Sequence, residues 1–192
     1  MKYNIKIMSK QECTLYSTKD LDDDCIVISI NDSNCNTVIY NNSKIKDILK
    51  IHFDDITREA KDKYKCKGKL VTMEDLQQIK TFVDKYKDNI HTIIVHCTMG
   101  VSRSGAIGCL LARYLNKSDM YLFEKGKYMP NETVYKLGCE VFGLKWDKKE
   151  FKYKCNISNK IIKENFKNKY GIDINDMFNI NSYNYSWIVY IV

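Results

Sequence analysis

The sequence predicts an α/β fold with a central, mostly parallel sheet flanked by helices. Two apolar runs, residues 25–30 and 91–95, read as buried strands. Segments of helical period alternate with them, most clearly after Thr72 and after Arg103. No repeat or linker-like stretch divides the 192 residues, so the elements are expected to form one sandwich.

In chain order, residues 3–8 alternate as a strand does, and residues 9–18 suit a short helix. Asp22, Asp23 and Asp24 form a turn before the buried strand at 25–30. Residues 38–40 and 48–53 read as two further strands, and residues 56–71 as an irregular lysine-rich connection. Thr72 and Asp75 make a capping box. The helix it opens places Leu76, Ile79, Val83 and Tyr86 on one face. The strand at 91–95 runs into a glycine-containing turn and a helix from about Arg103 to Asn116. Pro130, the only proline, precedes a short helix ending near Gly143. Residues 158–169 read as a basic helix with Ile157, Ile161, Ile162, Phe166 and Tyr170 inward and Gly171 as its stop. The tail at 186–192 is β-like.

Composition narrows the class. Apolar residues make up 44% and charged residues 29%, as in a folded water-facing chain. No apolar stretch approaches the roughly 18 residues of a membrane span. The first residues are too short and too interrupted by lysine for a secretory signal, so a cytoplasmic location is the default expectation. None of the eight cysteines forms a C-x-x-C pair, which predicts free thiols and no zinc site. Net charge is +7, yet only Arg58, Arg103 and Arg113 are arginine. An arginine here is expected to serve for its bidentate fork.

The informative run is Ile93-Ile-Val-His-Cys-Thr-Met-Gly-Val-Ser-Arg-Ser-Gly105. It reads as a strand, a tight loop from Cys97, and a helix opening at Arg103. The backbone N–H groups of Thr98, Met99, Gly100, Val101, Ser102 and Arg103 can curl inward, with Gly100 permitting the torsions of such a nest. The helix N-terminus adds its positive end, and the result is an oxyanion pocket. That field is expected to favour a Cys97 thiolate, the nucleophile against a bound phosphoryl group. Arg103 can bind two phosphate oxygens, and Ser104 can donate its hydroxyl to the sulfur when it leaves. His96 is expected to fix the loop backbone by hydrogen bonding. A Cys-x5-Arg alone arises by chance about one time in eight in such a composition. Adding the flanking His and the Gly lowers this to about one in ten thousand.

His96-Cys-Thr-Met-Gly-Val-Ser-Arg-Ser104 resembles the signature loop of the cysteine-based protein tyrosine phosphatases, and its ending resembles the dual-specificity branch. The resemblance is traceable over about residues 25–142, with Pro130-Asn131 resembling the Pro-Asn turn of that branch. It implies one phosphatase domain over 1–192 with a basic C-terminal extension at 144–192. It also implies a cysteinyl-phosphate intermediate, a phosphorylated protein substrate, and neither cofactor nor metal. Asn131 would brace the signature loop, or simply cap the helix after it.

The same resemblance implies a general acid on a separate loop upstream, just past a strand. Asp55 is the first candidate there, Asp54 the alternative, and Asp62 the next. The signature loop lacks the added lysines of lipid phosphatases, and no upstream phosphotyrosine-recognition loop is visible. A shallow pocket open to phosphoserine and phosphothreonine is therefore implied. The alternatives are the same chemistry on an RNA 5′-phosphate or inositol phosphate, or a non-catalytic phosphate-binding module. Residues 56–71 carry a net charge of +4 and residues 144–170 a net +6. Both read as solvated faces or as contacts for anionic substrates, nucleic acid or a membrane surface.

Overall fold

In a computed structural model of the chain, residues 3–33 and 40–171 are described. Four parallel strands form one sheet: β1 (Asn4–Ser9), β2 (Cys25–Asn31), β3 (Ile45–His52) and β4 (Thr92–Cys97), in the order β1-β4-β2-β3. The sheet is thus wholly parallel among the described residues. The helices are α1 (Lys10–Ser17), α2 (Arg58–Tyr64), α3 (Met73–Tyr86), α4 (Arg103–Asn116), α5 (Met120–Phe123), α6 (Glu132–Val141) and α7 (Lys148–Tyr170).

Strand periodicity divides the core in two. Ile26, Ile28, Ile93 and Val95 pack with Ile5, Ile7 and helices α3, α4 and α6, around Leu76, Ile107, Leu110 and Tyr135. Val27 and Ile94 face the other way, onto Cys13 of α1, Leu21 and Tyr40. The two central strands are covered on both faces, so every residue of β2 and β4 is buried.

Local chemistry sets the helix ends. Ser9 and Glu12 form a capping box at α1, and Thr72 with Asp75 forms the expected one at α3. Gly171 takes φ +71 and closes α7.

Four expectations need correction. Residues 56–71 are not irregular throughout, because Thr57 caps α2 by accepting from Ala60 N–H. The basic helix starts at Lys148, ten residues earlier than its apolar pattern suggests. Its inner face also carries Lys154, whose ammonium lies 2.8 Å from the buried Asp119 carboxylate. Tyr170 is exposed at the end of that helix, although its ring lies tilted against Phe166. Of the strand read at 38–40, only Tyr40 is described, outside any strand; the rest, like the tail at 186–192, lies outside the described residues.

Among the described residues no helix is long and apolar enough to cross a membrane.

Candidate active site

In a parallel sheet the C-terminal strand ends gather at one edge, and sites form there. Here the ends of β2, β3 and β4 bring together Asp32, Asp54 with Asp55, and Cys97 with the loop behind it.

The loop between β4 and α4 is held from outside by backbone. Lys10 N–H donates to Thr98 O at 3.2 Å, and Asn131 N–H donates to Ser102 O at 3.2 Å. Gly100 takes φ +75, and a Cβ there would overlap Ser9 N and the Met8 carbonyl. Glycine is therefore required twice over, for the torsion and for the close approach of β1. Ser102 stands at the N-cap of α4 but makes no capping bond. Its hydroxyl donates instead to Asp55 Oδ1 at 2.7 Å. The first amides of α4 are thus not capped by that side chain, and they suit an oxyanion.

Cys97 is buried at the base of the loop. Its Sγ receives the Gly100 N–H at 3.3 Å and lies 3.1 Å from Ser104 Oγ. Arg103 is buried as well. Its Nη1 donates to Phe53 O at 2.9 Å and pairs with Asp32 Oδ1 at 2.7 Å, while Nη2 donates to Thr98 Oγ1 at 3.1 Å. Its Nε is buried with no hydrogen-bond partner among the described residues.

The two adjacent aspartates differ. Asp54 accepts from Ser33 N–H at 3.0 Å, Ser33 Oγ at 2.8 Å and Lys69 N–H at 2.7 Å. Burial opposes its ionisation, but these bonds and the Arg103 charge hold its carboxyl below the ordinary value. Asp54 is committed to clipping three chain segments. Asp55 Oδ1 accepts from Ser102 Oγ and, at 3.0 Å, from Asn131 Nδ2, and its Oδ2 has no hydrogen-bond partner among the described residues. Only one of its two oxygens is anchored. Asp62 is exposed on α2.

Asn131 does both things that its sequence position suggests. Its Oδ1 accepts from Thr133 and Val134 N–H and caps α6, while its Nδ2 and backbone N–H tie Asp55 to the signature loop. His96 Nε2 bonds the Tyr40 hydroxyl at 2.8 Å, and a hydrogen bond between the ring and the Cys97 backbone acts against the effect of burial on its pKa. Burial pushes its pKa down to about 4, so the ring is neutral near pH 7. Asp32 and Tyr40 were not anticipated. Asp32 was open to discovery, since it directly follows a buried parallel strand, whereas nothing in the sequence points to Tyr40.

Among the described residues no cluster of three His, Cys, Asp or Glu side chains could hold a metal ion.

Over residues 8–125 the chain matches the family described as dual specificity phosphatase, catalytic domain. No curated protein matches it. Among solved structures it is similar to PTPMT1 at 15% identity, covering 80% of this chain and 94% of that one, with TM-score 0.47. It is similar to the human tyrosine phosphatase-like serine/threonine/tyrosine-interacting protein at 14% identity, covering 81% and 87%, with TM-score 0.40. It is similar to OH1 from the Orf virus, a tyrosine phosphatase, at 18% identity, covering 79% and 80%, with TM-score 0.32.

Proposed function

The chain belongs to the dual specificity phosphatase catalytic-domain family, and from that premise we propose that it hydrolyses phosphotyrosine in proteins, and phosphoserine and phosphothreonine with it, through a cysteinyl-phosphate intermediate. The observation that carries this reading is the meeting of three groups at one sheet edge. Ser102 bonds the Asp55 carboxylate, Arg103 is the next residue, and Ser104 bonds the Cys97 sulfur.

In the first step the Cys97 thiolate attacks phosphorus. An S–P bond forms, the ester P–O bond breaks, and Asp55 gives its proton to the leaving oxygen. In the second step water attacks the same phosphorus and Asp55 takes its proton. The S–P bond breaks with Ser104 donating to the departing sulfur. Arg103 and the amides of residues 98–103 hold the equatorial oxygens in both steps. Asn131 and Ser102 are positioning residues, since they act through Asp55. The single domain over 1–192 and the sites assigned above are part of this proposal.

The test is turnover of a panel: phosphotyrosine, phosphoserine and phosphothreonine peptides, a 5′-triphosphate RNA and an inositol phosphate. The expected result is hydrolysis of the phosphotyrosine peptide first and the other two peptides at lower rates. Turnover confined to the RNA or the inositol phosphate would replace the protein substrate with that one. Phosphate binding without turnover of any member would make the chain a binding module.

A further inference from the structure

We infer that Asp32 is a positioning residue for Arg103, fixing the guanidinium so that one edge of its fork is kept for the transferring phosphoryl group. The inference deepens the reading above and rests on it for the identity of the reaction.

A guanidinium has five N–H donors. Nη1 is engaged by Phe53 O and by Asp32 Oδ1, and one hydrogen of Nη2 by Thr98 Oγ1. Thr98 Oγ1 in turn donates to Asp32 Oδ2 at 2.9 Å. Asp32, Thr98 and Arg103 therefore close a ring around the end of the fork. What remains is Nε–H and the second Nη2 hydrogen, which lie side by side on the lateral edge. That pair is a bidentate anion site. A buried N–H left unpaired is costly, and the Arg103 Nε has no partner among the described residues. An anion on the lateral edge would satisfy it without disturbing the ring.

The position also argues for this role. Asp32 follows the last residue of β2, whose neighbour β4 ends at Cys97. The sheet itself sets the separation of carboxylate and nucleophile. Phe53 O, just past β3, holds the same Nη1 from a third strand end. Asp32 contacts Arg103 and Thr98 and does not itself touch the reacting atoms. A carboxylate here carries a cost, because it repels a dianionic substrate. A competing reading makes Asp32 an internal anion that occupies the phosphate site and is displaced by substrate. The two differ in sign.

The test uses the full chain with Asp32→Ala and Asp32→Asn, assayed on p-nitrophenyl phosphate, with vanadate and inorganic phosphate binding measured in parallel. Positioning predicts that Asp32→Ala lowers kcat about tenfold, the scale of a small misplacement of a transition-state group. KM and phosphate affinity should change less than about twofold, and vanadate should weaken in step with kcat. Asp32→Asn keeps an acceptor for the fork and should recover most of kcat, which a merely structural loss would not do. Unchanged or raised kcat in Asp32→Ala, with tighter phosphate binding, would overturn the inference and identify an internal competitor. Should the wild-type chain not turn over p-nitrophenyl phosphate, the proposed reaction fails. The vanadate comparison still decides Asp32, because weaker vanadate binding in Asp32→Ala supports the ring and equal or tighter binding refutes it.

Discussion

Two loops at the C-terminal edge of the sheet contribute to one site and are built in opposite ways. The signature loop runs unbroken from Cys97 to Arg103 and rests on backbone, with Lys10 and Asn131 amides bonding its carbonyls. The proposed acid loop after β3 is held mainly through its own two carboxylates. The backbone N–H groups of Ser33 and Lys69 and the Ser33 hydroxyl clasp Asp54, while the Ser102 hydroxyl and the Asn131 side-chain amide anchor Asp55. A backbone-built pocket tolerates changes to most of its side chains and fails only where a side chain reacts or glycine is required. A side-chain-built loop spreads its dependence over several residues, each worth less.

The largest effect expected on that contrast is Arg103→Lys. The variant keeps the charge and loses the planar fork, so kcat should fall on the order of 10²-fold or more. Steady-state kinetics on p-nitrophenyl phosphate checks it. A change confined to KM would mean that Arg103 does not stabilise the transition state.

The acid loop gives a smaller and more selective effect. Asp55→Asn should slow a phosphotyrosine peptide by about 10²-fold but p-nitrophenyl phosphate by about tenfold or less, because nitrophenolate leaves without a proton. It should also flatten the basic limb of the pH–rate profile. Asp54→Asn should show no such leaving-group dependence and should lower the melting temperature instead, since it loosens the clasp on Ser33 and Lys69. If the two variants exchange these patterns, their roles are exchanged.

The smallest effect concerns His96 beneath the signature loop. Its folded pKa of about 4 lies below the ordinary imidazole value near 6.5. The unfolded chain therefore binds more protons in that window, and stability falls as pH drops from about 6.5 towards 4. Denaturant unfolding across this range should show the loss in the wild type and a flatter profile in His96→Gln. Parallel profiles would mean that the buried ring is not the group responsible.

Legibility followed the same division. The signature loop and α4 were readable because everything they need is contiguous: an apolar strand, a glycine, and a helix opening at Arg103. α3 was readable from its capping box and from the buried stripe of Leu76, Ile79 and Val83. α2 was missed because it buries none of its residues, so no apolar stripe exists to be read. The first turns of α7 were missed because their inner face includes Lys154, which breaks the apolar stripe and is made tolerable there by Asp119. The choice between Asp54 and Asp55 depends on groups 15 to 76 residues away. The ring of Asp32, Thr98 and Arg103 depends on strand order, which no local pattern encodes.

The account rests on a covalent intermediate at Cys97, and trapping it is the most direct test. The protein is mixed with p-nitrophenyl phosphate, quenched in the steady state and digested, and the peptides are weighed by mass spectrometry. The predicted result is one phosphoryl group on the peptide containing Cys97, absent in Cys97→Ser, which should also lose turnover while still binding phosphate in a pocket made of backbone. Sustained turnover with no phosphoryl group on Cys97, or more than a few per cent of wild-type rate in Cys97→Ser, would contradict it.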